Sequence, residues 1–204
     1  MACRYLKSSP EILCKHLEIA RKDNFILGVK LVRGAYLQSD PRHLIHDSKE
    51  DTDTAYDDAT RLLLTGSPPS PQPGRRAFFT IGMGHQLGEA RVNLVLATHN
   101  KQSVETALAL RRQVPNSITT EIAYAQLLGM ADELSFALLA EEPSSLPTEA
   151  VKVYKYAVWG TTQECVKYLV RRAEENKDAV TRSAENRQAC AVEMRRRLIA
   201  GFKS

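Results

Sequence analysis

Phe25–Tyr36 reads FILGVKLVRGAY. Its first part, Phe25 to Val32, is rich in aliphatic and β-branched side chains, and Arg33, Gly34, Ala35 and Tyr36 follow at its C-terminal end. A short apolar run that stops at a glycine-marked turn reads as a buried strand of the kind found in parallel sheets. Lys30 interrupts the run. An ammonium inside an apolar strand must be paired or must face a polar cavity, because burying it alone is costly. The alternative is a lysine whose stem lies along the sheet while its head reaches water.

Elements of helical and strand period alternate on both sides of this stretch. Ser9 and Pro10 start a helix as N-cap and first residue, Leu13, Leu17 and Ala20 form its apolar stripe, and Asn24 ends it. Met1 therefore opens almost directly on a helix. After a turn at Ser39, Asp40 and Pro41, a helix from about Lys49 to Leu64 carries Ala55, Ala59, Leu62 and Leu63 on one face. Asn93–Ala97 is a strand followed by Thr98, His99 and Asn100, and Asn100 caps a helix bearing Val104, Ala107 and Leu108. Ile118–Ala123 is the next strand, Tyr124–Met130 a loop or short turn, and Ala131–Ala140 a helix. Val151–Ala157 is a further strand, and Trp159–Gly160 turns the chain into a helix over Thr161–Asn176.

That helix opens on a T-x-x-E capping box, Thr161 and Glu164. It has an apolar stripe of Val166, Leu169, Val170 and Ala173, and it carries the adjacent pair Arg171 and Arg172 near its end. Two guanidinium forks side by side suit a carboxylate. The alternative is solvated charge paired with Glu174 and Glu175. A last helix from about Ala184 to Ile199 holds Arg187 and Arg195–Arg197.

The order αβαβαβαβαα predicts an α/β fold with a parallel sheet and helices packed outside it. In both open α/β sheets and (βα)8 barrels, ligands bind at the C-terminal ends of the strands. Arg33, Tyr36, Thr98, His99, Gln126 and Tyr156 collect there. Residues 66–91 break the rhythm: Pro68, Pro69, Pro71 and Pro73 with Gly66 and Gly74 read as an irregular insertion in a chain that is otherwise a single domain over 1–204, with a short strand at Ala77–Ile81. Gly82, Met83, Gly84 and Gly88 resemble a glycine-rich phosphate loop, but the next strand follows too soon for the helix that motif needs.

The 204 residues, 43% hydrophobic and 25% charged, suffice for one domain with a core. A net charge of +4 does not argue for nucleic acid. Cys3, Cys14, Cys165 and Cys190 are scattered, which favours free thiols in a reducing compartment. No apolar run approaches the ~20 residues of a spanning helix. His43 and His46 form H-x-x-H beside Asp40 and Asp47, short of the three or four converging ligands of a metal site. A nucleophile elbow and an acid–base carboxylate pair are both missing, so chemistry would come from a cofactor.

Five motifs together resemble proline dehydrogenases: GVKLVRGAY at Gly28–Tyr36, ATHN at Ala97–Asn100, QLLGM at Gln126–Met130, VYKY at Val153–Tyr156 and YLVRRAEEN at Tyr168–Asn176. Lys30, QLLGM and VYKY resemble the eukaryotic, mitochondrial branch. The resemblance spans nearly the whole chain apart from 66–91. It implies a (βα)8 TIM-type barrel of which this chain carries strands five to eight, their helices and an extra C-terminal helix. Such a barrel takes ~250 residues. It also implies an FAD-dependent oxidation of L-proline to 1-pyrroline-5-carboxylate, with electrons passed to quinone and peripheral association with the inner mitochondrial membrane.

By the same resemblance, Arg171 and Arg172 hold the proline carboxylate, while Tyr36, Tyr156 and Leu127 line the proline pocket. Lys30 lies near the flavin as the catalytic cation. Arg33, Gly34, Ala35, Thr98 and His99 contact FAD, and Glu175 lies near its ribityl and pyrophosphate. The first half of the family's barrel brings a lysine, an aspartate and a glutamine with no counterpart here. Two other functions stay open at this point: an inactive half-barrel that serves as an interaction module, and a nicotinamide-binding oxidoreductase acting through Gly82–Gly88.

Overall fold

The computed structural model describes residues 2–3, 7–33, 41–67, 70, 78–79, 90–113, 119–140, 151–175, 187–188 and 190–197, without the side chains of 2, 3, 119, 120, 171, 174 and 175. The elements in chain order are β1 (Ala2–Cys3), α1 (Ser9–Lys22), β2 (Ile26–Val32), a 3-10 turn (Arg42–Leu44), α2 (Lys49–Thr65), β3 (Arg91–Ala97), α3 (Lys101–Gln113), β4 (Thr119–Leu127), α4 (Asp132–Ala140), β5 (Lys152–Tyr156) and α5 (Thr162–Glu175). Residues 190–197 are helical. Strand order follows chain order, β1-β2-β3-β4-β5. The β1–β2, β2–β3 and β3–β4 pairs are all parallel.

Parallel neighbours need a crossover, and the right-handed crossover puts each connecting helix on the same side when strands are laid down in sequence. Sequential winding of this kind belongs to a barrel; a doubly wound sheet reverses its order at a switch point. The expected α/β class and partial-barrel winding are thus both observed.

The chain forms two compact units: Met1–Ala125 with Glu142–Lys152, and Gln126–Glu141 with Val153–Ser204. In the first unit, β2 and β3 pair in unbroken register from Ile26 opposite Arg91 to Val32 opposite Ala97. One face of this sheet is buried: Leu27, Val29 and Leu31 from β2 and Val92, Leu94 and Leu96 from β3. Leu13, Leu17, Leu62, Leu63, Val104 and Ala107 from the helices complete the core. On the other face Ile26, Gly28 and Lys30 are exposed and Asn93, Val95 and Ala97 are half-buried. The stretch expected to be a buried strand is therefore buried on one face only. A parallel sheet is covered on both faces only where structure packs on both, and here the helices occupy one.

Local chemistry explains the boundaries. Asn24 takes φ 52°, a left-handed conformation asparagine tolerates, and stops the chain after α1. Ser48 caps α2 by accepting from Asp51 N at 3.0 Å, and Gly66 at φ 72° closes it. Asn100 Oδ1 caps α3 by accepting from Ser103 N at 2.9 Å. In the second unit Thr161 N donates to Glu164 Oε2 at 3.0 Å, the expected capping box at the head of α5.

Three boundaries differ from expectation. Ser9 is the first helical residue, and Ser8 in the N-cap position makes no side-chain cap. The opening residues form a strand, with Ala2 opposite Lys30 and Cys3 opposite Leu31. β4 runs on to Leu127, so Tyr124–Leu127 is strand. Tyr124 and Gln126 pack into the buried face alongside Ile122, which rewards continued extension. The short strand at Ala77–Ile81 and the glycine group Gly82–Gly88 lie outside the described residues, apart from Phe78 and Phe79. No described helix is long and apolar enough to cross a membrane.

Candidate functional site

In the first unit the C-terminal ends of β2 and β3 are joined by side chains. Arg33, directly after β2, donates to Ser103 Oγ at 2.9 Å and forms an ion pair with Asp53 of α2. Its guanidinium stands 5.9 Å from the ring centre of Tyr56. Burial lowers the Arg33 pKa, and the charges of Asp57 and Tyr56 oppose that shift. Thr98 Oγ1 accepts from Asn100 N at 3.0 Å, and Thr98 is buried. Arg33 and Thr98 thus point into the loop and helix layer. Lys30 lies on the open face of β2, paired in register with Val95, and His99 is half-buried after β3. Lys30 is exposed, so its ammonium is not enclosed in the sheet.

In the second unit Leu127 ends β4 and Tyr156 ends β5. Leu128 N donates to Tyr156 O at 3.0 Å, which binds the β4–α4 turn to the end of β5. The Tyr156 ring lies 6.0 Å from the Tyr168 ring, tilted by 43°. The Arg172 guanidinium stands 5.5 Å from the centre of the same Tyr168 ring. A row of Tyr156, Tyr168 and Arg172 results. The sequence marks Tyr168 only as part of a motif, but its position four residues before Arg172 is the spacing that stacks two side chains on one helix face. Gln126 faces α4, where its Oε1 accepts from Ser135 Oγ at 2.9 Å.

The stripe of α5 is also unlike expectation. Val166, Leu169 and Val170 are each at least 50% exposed, and Trp159 is fully exposed. Among the described residues the second unit holds the end of β4, α4, most of β5, α5 and the helical residues 190–197. Arg171 and Glu175 belong to α5 and their side chains lie outside the described residues; Gly34, Ala35 and Tyr36 lie outside them entirely. His46 is buried, edge-on to Phe78 at 4.7 Å between ring centres. No group of three or more His, Cys, Asp or Glu converges among the described residues.

Fold and site together define a parallel α/β protein of barrel-type winding, with cations and aromatic rings at the C-terminal ends of its strands. The chain belongs to the proline dehydrogenase family, whose model matches residues 3–185. It is 35% identical over 195 residues to a Schizosaccharomyces pombe protein named probable proline dehydrogenase, mitochondrial, covering 95% of this chain and 39% of that one. It is 33% identical over 209 residues to the Arabidopsis thaliana protein named proline dehydrogenase 1, mitochondrial, covering 97% and 36%. The chain thus spans under two-fifths of the length of these relatives. A crystal structure of Bradyrhizobium japonicum Proline Utilization A shares the fold, with TM-score 0.60 and 22% identity over 86% of this chain and 16% of that one.

Proposed function

We propose that this chain carries the substrate-binding half of an FAD-dependent proline dehydrogenase, which oxidises L-proline to 1-pyrroline-5-carboxylate in proline catabolism. The observation that carries the reading is the row Tyr156–Tyr168–Arg172, which places a cation at the edge of an aromatic wall within one unit. A cyclic amino acid has two recognisable parts, an apolar ring and a carboxylate. Tyr156 and Leu127 supply surface for the ring. Arg172 with its neighbour Arg171 supplies forks for the carboxylate, and Tyr36 is assigned to the substrate by the motif it belongs to.

FAD fits the donor chemistry of the first unit in part. Lys30 and His99 lie on or beside the open face of the sheet, flanked by the small and apolar residues Gly28, Val32, Val95 and Ala97, where a flat ring has room: a Cβ built on Gly28 would meet nothing within 4 Å. When bound, the flavin would accept the hydride from the carbon beside the proline nitrogen. The chain's own residues bind and orient. Lys30 presents a positive charge where anionic character develops, which favours the transition state electrostatically. The backbone of Gly34 and Ala35, the side chain of His99 and the carboxylate of Glu175 are assigned to hold the cofactor. Arg33 and Thr98, whose side chains serve the loops, would contribute through backbone. Transfer of electrons to quinone at the inner mitochondrial membrane is part of the same proposal; the names of the relatives support the mitochondrial compartment alone.

Arg172→Met tests the carboxylate clamp. The expected outcome is a Michaelis constant for L-proline raised at least tenfold, the scale of one lost charge-assisted contact. Unchanged proline kinetics in an active enzyme would refute the clamp.

A further inference from the structure

Lys155 sits between Tyr154 and Tyr156 in β5, and strand alternation turns it to the opposite face from both. Its side chain is 24% exposed, and its ammonium donates to the carbonyl of Met130 at 2.7 Å and pairs with Asp132 Oδ1 at 2.7 Å. Met130 lies in the β4–α4 turn and Asp132 opens α4, and all three residues lie in the second unit. The backbone of this turn is unusual. Gly129 takes φ 75°, which suits glycine, but Ala131 takes φ 51°, a left-handed conformation that alanine seldom adopts. Such a conformation persists only where surrounding contacts over-determine it, and strain of this kind clusters at functional sites.

The contacts that over-determine it are on hand. Met130 N donates to Leu127 O at 3.1 Å, and Leu128 N donates to Tyr156 O. Ser135 reaches back from α4 to the Ala131 carbonyl and to Gln126 Oε1. The ammonium of Lys155 is the one charged group in this set that bridges strand and turn through side-chain bonds to both Met130 and Asp132.

We infer that Lys155 is a positioning residue. It clamps the strained β4–α4 turn to β5 and so fixes Leu127 and Tyr156, which frame the turn, at the spacing the substrate ring requires. The role of the turn in substrate binding rests on the proline reading above; the clamp itself does not. Lys155 touches no substrate in this scheme. It acts through Met130 and Asp132 on the wall that does.

The test uses the full chain and the variants Lys155→Met, Lys155→Arg and Asp132→Asn, each checked for native circular dichroism. Hydrogen exchange of the amides of Leu128 and Met130 reports the turn. Isothermal titration with L-proline reports the wall. Expected is at least tenfold faster exchange at Leu128 and Met130 in Lys155→Met, with exchange elsewhere in α4 unchanged. Proline dissociation should be weakened at least tenfold, as for other small displacements of binding groups. Lys155→Arg should recover most of both effects. Asp132→Asn, which keeps the bond to Met130, should fall between wild type and Lys155→Met, and it serves as the deciding variant if Lys155→Met does not fold.

Unchanged exchange at Leu128 and Met130 in the folded variants overturns the clamp. Accelerated exchange with unchanged proline affinity overturns the positioning role. A wild-type chain that binds no proline defeats the proline reading instead, and faster exchange in the variants would still establish the clamp.

Discussion

Arg33 donates to Ser103 Oγ at 2.9 Å and thereby ties the end of β2 to the first turn of α3. The same side chain pairs with Asp53 and lies against Tyr56, so one residue joins β2, α2 and α3. The β3–α3 turn continues the connection, since Ser103 N is capped by Asn100, whose own N–H is held by Thr98. Loops that carry ligand contacts are useful only when a scaffold fixes them.

Arg33→Met should therefore destabilise the chain by about 2 kcal/mol in urea unfolding, the scale of losing a charge-assisted network at a largely buried site. The loss is moderated because Asp53 keeps Lys49, whose Nζ is 2.7 Å away. Arg33→Lys should recover less than half, since one ammonium cannot serve Asp53 and Ser103 with a planar fork. Full stability in Arg33→Met would remove the network from the account.

The capping box of α5 gives a pH dependence. Hydrogen bonds from Thr161 backbone and side chain hold the Glu164 carboxyl below its usual range. A carboxyl whose folded pKa is depressed stabilises fully above its unfolded pKa, and that contribution disappears as pH falls through the folded value. Helicity followed by circular dichroism should decline on acidification below the ordinary carboxylate range, and Glu164→Gln should flatten that part of the profile. An identical acid profile in the variant would contradict the box.

Thiol labelling reports the helix layer of the first unit. Burial pushes the Cys14 thiol up to about 11, with Glu18 adding to the shift. The thiolate is the reactive form, so at neutral pH Cys14 should be inert in the folded chain. Cys190 is exposed and Cys165 half-buried, and both should react first. Denaturant should release Cys14. The sign for stability is the reverse of the carboxylate case: the raised thiol pKa gives a contribution present below pH 9.0 and lost as pH rises toward 11.

How far the sequence speaks varies along the chain. The β2 stretch was legible because five apolar residues in seven positions leave little choice of element, and the Asn100 cap and the Thr161–Glu164 box were legible because capping is local chemistry. Covering of faces was not legible. The period of Val166, Leu169 and Val170 marks an apolar stripe and leaves two readings of Lys30 open, since burial depends on what packs opposite, which no local pattern states. The same limit hid Lys155, a lysine between two tyrosines whose partners, Met130 and Asp132, come from another element. The motif marks Arg33 as a cofactor contact by resemblance; its partners Asp53 and Ser103 lie 20 and 70 residues away in sequence and meet it only in the fold.

Lys30 separates stability from function. It is exposed on the open face of β2, so Lys30→Met should change unfolding free energy by less than about 0.5 kcal/mol, as exposed substitutions do. It should weaken FAD binding, measured by quenching of flavin fluorescence, because it removes a cation from the assigned flavin face. Unchanged FAD affinity would take Lys30 out of the cofactor site.

Proline oxidation is tested most directly by loading the purified full chain with FAD and adding L-proline without oxygen. The flavin's visible absorbance should bleach as hydride is transferred, and in Arg172→Met bleaching should need at least tenfold more proline. A wild-type chain that holds FAD and keeps its oxidised spectrum at saturating proline would contradict the assignment.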